Sequence, residues 1–196
     1  MTTFASSNSI NQRLELTARG RLSAGRLGHV QRVAETAARL AQRFAQDPER
    51  VRTAALAHDI DRELAPARLI AAIADWRVPV SAVERRDPVL LHGPVAAARL
   101  RLRFGVEDAS VLAAVRHHTL GSPDLDAIGW ILYVADYCEP GRGSADAAER
   151  EQILRATRLE EMVIAITAAA ERRFGTLATP TQQMRERLAR GAMHGE

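Results

Sequence analysis

Lysine is absent from this 196-residue chain, so all 27 basic residues are arginines. The single cysteine, Cys138, excludes a disulfide within the chain. Aromatic residues make up only 4% of the sequence and no run of five basic residues occurs, which argues against a surface that stacks on or grips nucleic acid. No apolar run approaches the roughly 18–20 residues that cross a membrane. We therefore expect neither a nucleic acid duplex nor a membrane as a partner.

The remaining composition is that of an ordinary globular protein. Hydrophobic residues make up 46% of the chain and charged residues 26%, which excludes disorder throughout. The pI is 9.9 although the net charge is only +3, because arginine stays charged at every relevant pH. The N-terminal segment lacks the basic and apolar regions of a secretory signal, so we expect a cytoplasmic location.

Apolar residues recur at helical spacing along almost the whole chain. The clearest stripe is Val33, Ala37, Leu40 and Phe44, and no alternating pattern typical of strands is present. Residues 140–143, Pro-Gly-Arg-Gly, predict a firm break. The sequence thus predicts an all-α fold, with a frayed N-terminus over residues 1–9, a single helical domain over 10–190 and a flexible tail over 191–196.

Histidines and aspartates fall on the predicted buried faces or ends of successive helices. The set comprises His29, His58, Asp59, His92, His118 and Asp136. One such histidine alone is more often a satisfied core side chain than a ligand, so the prediction depends on the set. Imidazole and carboxylate together suit first-row divalent metals, and burying so many ionisable groups without a metal would be costly. The sequence therefore predicts a metal site, and the lack of thiolates argues against a structural zinc site.

Five short motifs occur in order around these residues. They are R-L-G-H at 26–29, A-H-D-I at 57–60, L-L-H-G-P-V at 90–95, H-T-L-G at 118–121 and V-A-D-Y-C-E-P-G-R at 134–142. Together they resemble the HD-domain metal-dependent phosphohydrolases, and within them the YqeK-type symmetrical bis(5′-nucleosyl)-tetraphosphatases. The resemblance implies an HD-domain helical bundle that hydrolyses diadenosine tetraphosphate, a dinucleoside polyphosphate, to two ADP.

The same resemblance implies roles for individual residues. The principal metal would be held by His29, His58, Asp59 and Asp136, with iron expected first and manganese or another divalent ion as alternatives. His92 and His118 would face the phosphates or bind a second ion, so that Asp59, His92 and His118 form the expected catalytic group. The expected substrate-binding residues are Arg26, Arg62, His92, His118, Thr119, Arg142 and Thr181.

The sequence departs from the family pattern after the His-Asp pair, where it reads H-D-I-D-R rather than H-D-I-A-K. We expect Asp61 to be a solvated residue at a helix end that does not bind metal, and Cys138 to be a small buried hydrophobe. Two other functions remain open: a different nucleotide phosphohydrolase, such as a nucleoside monophosphate phosphatase, and a non-catalytic nucleotide sensor. Assembly into a homodimer also remains an open possibility, because amphipathic stretches such as 159–170 offer more apolar surface than one core needs.

Overall fold

The computed structural model describes residues 7–143 and 146–194, and that part of the chain is helical with no strand. It contains eleven α-helices and one short 3₁₀ helix at Pro88–Leu91. The α-helices are α1 (Ser7–Arg21), α2 (Ala24–Arg43), α3 (Pro48–Ala57), α4 (Pro66–Asp75), α5 (Ala82–Arg86), α6 (His92–Phe104), α7 (Ala109–His117), α8 (Ala127–Cys138), α9 (Ala147–Arg155), α10 (Leu159–Phe174) and α11 (Thr179–His194). The predicted all-α fold is confirmed.

Helix boundaries follow local sequence chemistry. Asp47 precedes Pro48 and its carboxylate accepts hydrogen bonds from the first free amides of α3. Asp108 and Asp126 cap α7 and α8 in the same way. Gly105 ends α6 in the left-handed conformation, with φ of 73°, which glycine adopts without strain.

Helix α8 lies at the centre of the bundle. It packs against α2, α3, α7 and α10, while α6 packs along α7 and α1 along α3. The main core is formed by aliphatic and alanine side chains such as Val33, Ala54 and Leu132, all inaccessible to solvent. A second, smaller cluster around Leu69, Leu91 and Val95 joins α4 to the start of α6. This packing brings the C-terminal ends of α3 and α7 and the start of α6 to one place beside α2 and α8.

The predicted domain limits differ in detail from the helix ends. Helix α1 begins at Ser7, inside the segment expected to fray, and α11 continues to His194, inside the expected tail. Residues 1–6 and 195–196 lie outside the described part of the chain. Within that part, no helix is both long and apolar enough to span a bilayer. The stretch 159–170, suggested as a dimer face, buries Leu159, Met162 and Ile166 in the chain's own core, so the homodimer remains only a prediction.

Candidate metal centre

Six ionisable side chains from five helical segments meet at one point in the bundle. We call them the His/Asp cluster: His29, His58, Asp59, His92, His118 and Asp136. Each is at most 9% exposed. His29 projects from α2, Asp136 from α8, and His58 and Asp59 from the turn that follows α3. His92 begins α6 and His118 follows α7, so helix ends supply most of the cluster.

The position of these histidines at helix ends fixes their protonation. The His58 Nδ1–H donates to the Ala55 carbonyl at 2.7 Å, and the His118 Nδ1–H donates to the Val115 carbonyl at 2.8 Å. The His92 Nδ1–H likewise donates to a carbonyl three residues earlier. Because Nδ1 carries the proton in each ring, Nε2 presents a lone pair to the interior of the cluster.

The Nε2 atoms of different histidines lie too close to one another for neutral rings alone. The Nε2 atoms of His29 and His58 are 3.4 Å apart, and those of His92 and His118 are 3.1 Å apart. Two inward-facing lone pairs at this distance repel unless a cation or a proton lies between them. The donor atoms of His29, His58 and Asp136 fall within 4.8 Å of one another, as do those of His58, Asp59 and His118. The donor set therefore fits a divalent metal ion, and its nitrogen and oxygen donors are those such metals accept.

Carboxylates surround the imidazoles and remain ionised. The Asp136 Oδ1 lies 3.1 Å from the His29 Nε2, and the Asp59 Oδ1 lies 3.3 Å from the His92 Nε2. Burial alone would raise the pKa of Asp59, but hydrogen bonds donated by its neighbours His118 and His92 hold that pKa well below its usual range. Burial opposes ionisation of Asp136 too, yet the hydrogen bond with His29 and the charge of Arg142 lower its pKa. The cluster therefore keeps two anionic ligands at neutral pH.

The histidines respond differently to the same surroundings. Complete burial lowers the pKa of His58 to about 4, so this ring is neutral and available as a ligand. Burial also disfavours the charged forms of His29 and His118, but the hydrogen bonds that the charged rings donate to Asp136 and Asp59 outweigh burial and raise both pKa values. In the metal-free protein, protons therefore compete with a metal for His29 and His118.

Glu139 orients His29 from the side opposite the cluster. Its Oε1 accepts the His29 Nδ1–H at 3.1 Å, and its Oε2 accepts hydrogen bonds from the Arg32 Nε and from the Gly141 amide at 2.6 Å. The carboxyl group is 1% exposed, and although burial opposes ionisation, Arg32 and His29 lower its pKa. A Cβ at Gly141 would lie 2.4 Å from the Arg32 guanidinium, so a side chain there would have to displace Arg32 from Glu139. Glu139 thus fixes both the tautomer of His29 and the start of the 140–143 loop.

Close backbone packing brings His92 to His118. A Cβ on Gly93 would lie only 2.7 Å from the backbone oxygen of Arg116 in α7. The first turn of α6 can approach the end of α7 only because residue 93 has no side chain. His92 and His118, each next to this contact, therefore reach each other across the two helices.

The cluster forms the floor of an open cavity of about 760 Å³. Arg26 and Arg142 stand at its edge, where Arg26 Nη1 donates to Asp59 Oδ2 at 2.8 Å and the Arg142 guanidinium contacts the Asp136 carboxylate. The wall continues away from the cluster to Tyr137 and to Arg173 and Phe174 at the end of α10. The cavity thus joins a buried anionic floor to an arginine-rich, partly aromatic wall.

Comparisons with known proteins identify the family. The HD domain model matches residues 26–141, which is more than half of the chain and spans the whole His/Asp cluster. The chain belongs to the HD domain family. Membership of this family implies a divalent metal, and the His/Asp cluster of this HD domain could bind one.

Two curated relatives carry a common name. This chain is 35% identical over 114 residues to a symmetrical bis(5′-nucleosyl)-tetraphosphatase of Bacillus subtilis, covering 58% of this chain and 61% of the relative. It is 31% identical over 125 residues to the enzyme of that name from Staphylococcus aureus, covering 64% of each chain. The aligned part therefore spans less than two thirds of these relatives.

A solved structure resembles this chain over nearly its full length. It is a crystal structure from Clostridium acetobutylicum of a protein described as a predicted HD superfamily hydrolase involved in NAD metabolism. The TM-score is 0.83 at 26% sequence identity, and the match covers 92% of this chain and 97% of the other. The helices outside residues 26–141 thus belong to the same architecture.

The structure brings most of the predicted site residues together. The cavity is lined by Arg26, Arg62, Thr119 and Arg142 and by every member of the His/Asp cluster except His58, which lies fully buried behind them. The Thr119 hydroxyl lies 3.1 Å from the His118 Nε2. Thr181 is the exception, because it does not line this cavity. Its hydroxyl donates to the Leu120 carbonyl at 2.6 Å, which docks α11 on the loop after His118.

Sequence reasoning assigned no role to Glu139 or Arg32 and placed Asp61 wrongly. Glu139 lies in the quoted D-Y-C-E-P-G-R motif, so a signal was present, but its partner His29 is 110 positions earlier. Asp61 is not a solvated helix-end residue, since it is fully buried between Arg21 and Arg99. Cys138 is buried as predicted, and burial raises the pKa of its thiol to about 12, which makes it a poor nucleophile.

Proposed function

We propose that this HD domain hydrolyses diadenosine tetraphosphate symmetrically, giving two ADP. The observation that carries this proposal is the convergence of inward-facing Nε2 atoms and ionised carboxylates on the floor of a cavity whose edge bears arginines. That combination suits hydrolysis of a polyphosphate, because the groups that can bind a metal lie next to the arginines that can bind phosphate. The names of the relatives from Bacillus subtilis and Staphylococcus aureus support the same reaction.

The extent of the cavity supports a substrate longer than a nucleoside monophosphate. A volume of about 760 Å³ lies in the range of sites that enclose nucleotide-sized ligands. The cavity runs from the His/Asp cluster to Arg173 and Phe174, which offer a cation and an exposed aromatic ring. A phosphate monoester would use only the floor, whereas a dinucleotide could also use this wall.

The roles follow from the positions of the side chains. His29, His58, Asp59 and Asp136 would hold the principal divalent metal, with His92 and His118 reaching the phosphates or a second ion. When bound, the metal would supply a Lewis acid and an activated water at neutral pH. Arg26, Arg62 and Arg142 would neutralise the polyphosphate, and Thr119 would offer a hydroxyl to it. These arginines can also stabilise the charge that develops on the departing ADP.

Three finer assignments accompany the proposal. We propose iron as the resident metal, with manganese as the alternative, because both accept mixed imidazole and carboxylate donors. We propose a cytoplasmic location, since the reaction consumes a nucleotide and Cys138 has no disulfide partner in the chain. The homodimer prediction is checked by light scattering of the purified protein.

The test is product analysis on metal-reconstituted protein. The protein is stripped with a chelator, reloaded with Fe²⁺ or Mn²⁺, and given diadenosine tetraphosphate or AMP in separate reactions. We expect ADP from the dinucleotide and no phosphate from AMP. Asp136→Asn should abolish turnover, whereas Asp126→Asn, at the N-cap of the same helix and outside the cluster, should retain it. Phosphate release from AMP would favour a monophosphatase, and tight binding without turnover would favour a sensor.

A further inference from the structure

A buried carboxylate lies just beyond the His/Asp cluster and contacts none of its members. Asp61 is inaccessible to solvent and sits in the turn after α3, two residues beyond Asp59. Its Oδ1 accepts from Arg21 Nη2 at 2.7 Å and its Oδ2 from Arg99 Nε at 2.8 Å. A carboxylate this deep is tolerated because two guanidinium groups replace its water.

The two arginines come from helices that border the turn on different sides. Arg21 ends α1, and its Nε also donates to the backbone oxygen of Ile60 at 3.4 Å, so it holds both the side chain and the backbone of the turn. Arg99 lies in α6, where its guanidinium stands 5.1 Å from the centroid of the Trp76 ring. The ring and the carboxylate together restrict the arginine to one orientation.

Helix α6 therefore meets the turn at two points. Arg99 follows His92 by seven residues, which is almost two helical turns, so both side chains leave α6 on the same face. His92 Nε2 lies 3.3 Å from the Asp59 carboxylate, and Arg99 binds the Asp61 carboxylate. Asp59 and Asp61, two residues apart in the turn, thus each contact a side chain on the same face of α6.

We propose that Asp61 is a positioning residue that, through Arg99 and Arg21, fixes the turn so that Asp59 faces His92 and His118. The inference rests on the proposed metal centre. Asp61 would not ligate the metal, because its carboxylate is already held by two arginines. Its effect would pass through Asp59, whose two oxygens lie between the His92 and His29 sides of the cluster.

The test measures metal affinity and stability on the same variants. Asp61→Asn keeps the shape of the side chain but removes the charge that holds both arginines. Arg99→Lys keeps the positive charge but loses the planar pair of guanidinium N–H donors. This variant replaces Asp61→Asn in the test if Asp61→Asn does not fold. Asp108→Asn is the control. Asp108 likewise pairs with an arginine, Arg50, through two hydrogen bonds of 2.7 and 2.8 Å, but it lies outside the cluster. Mn²⁺ affinity is measured by titration well below each melting temperature.

We expect Mn²⁺ affinity to fall about 10- to 100-fold in Asp61→Asn, and less in Arg99→Lys, as when other groups that orient ligands are removed. With saturating Mn²⁺, kcat for the proposed hydrolysis should fall more than KM changes. The control should lose stability with unchanged metal affinity. If the Asp61 and Arg99 variants lose stability but bind Mn²⁺ within twofold of the wild type, the positioning role is refuted. A wild type that binds Mn²⁺ but leaves the dinucleotide intact would refute the proposed reaction while the affinity comparison still decides the role of Asp61.

Discussion

Replacing Glu139 by glutamine should weaken metal binding although Glu139 is not placed as a ligand. Every polar neighbour of its carboxylate is a donor: the His29 Nδ1–H, the Arg32 guanidinium and the Gly141 amide. Glutamine has one carbonyl oxygen and one NH₂ group. Whichever way the amide is placed, its NH₂ must face at least one of these donors.

The two orientations have different costs. If the NH₂ faces His29, the ring is driven to the tautomer that carries its proton on Nε2, and the lone pair meant for the metal is lost. If the NH₂ faces Arg32 and Gly141, the Arg32 Nε and the Gly141 amide both lose the oxygen that accepts their hydrogen bonds, and the 140–143 loop loses its anchor. Leaving one such donor unpaired in a buried site costs about 1.5–3 kcal/mol. Since 1.4 kcal/mol corresponds to a tenfold change in a dissociation constant, metal affinity should fall by about 10- to 150-fold.

Competition with a chromophoric chelator gives the dissociation constant for Mn²⁺ directly. Glu171→Gln is the matched control, because Glu171 binds one arginine, Arg185, at the surface and lies outside the cavity. We expect the control to bind Mn²⁺ like the wild type. Affinity of Glu139→Gln within twofold of the wild type, in a protein that circular dichroism shows to be folded, would refute the argued role of Glu139.

Three further predictions address packing, pH and substrate binding. Gly93→Ala should lower the free energy of unfolding, measured in urea, by about 1–3 kcal/mol, because the new Cβ meets the Arg116 backbone. Gly20→Ala is the control and should not lower it, since a Cβ at Gly20 meets nothing within 4 Å. Equal effects of the two substitutions would contradict the packing argument. The hydrogen bond from Arg50 lowers the pKa of Asp108, so the free energy of unfolding of the wild type should exceed that of Asp108→Asn by about 0.5–1 kcal/mol at pH 7 for this partly exposed pair. The difference should shrink as the pH falls through the lowered pKa of Asp108, and a difference that does not shrink in acid would contradict this. Arg142→Ala should keep its metal and lose about 10- to 100-fold in kcat/KM, and unchanged kinetics would refute a role in binding phosphate.

The sequence was sufficient for the helices and for the composition of the cluster. Helix starts at Asp47 and Asp108 follow from short-range capping, which depends on neighbours in the sequence. Each histidine of the cluster stands on a helix or directly after one, and the apolar stripe of that helix sets its inward direction. The order of the five motifs then identified the family that the HD domain match confirms.

The sequence was not sufficient where a side chain depends on a distant partner. Asp61 looks like an ordinary polar residue after a helix, and only Arg21 and Arg99, 40 and 38 positions away, make it a buried ion-pair centre. Thr181 matched a family segment, but the docking of α11 turns its hydroxyl to the Leu120 carbonyl instead of the cavity. Local pattern cannot predict such contacts, because they depend on how helices are arranged.

The site of bond cleavage tests the central claim most directly. Metal-loaded protein is incubated with diadenosine tetraphosphate in ¹⁸O-labelled water. The products are then separated, and their masses and ¹⁸O content are measured by mass spectrometry. The account predicts ADP as the only product, with one ¹⁸O atom for every two ADP molecules, because each cleavage consumes one water. The metal-stripped protein and Asp136→Asn should give no product. AMP together with ATP, or label in free phosphate, would contradict symmetrical hydrolysis.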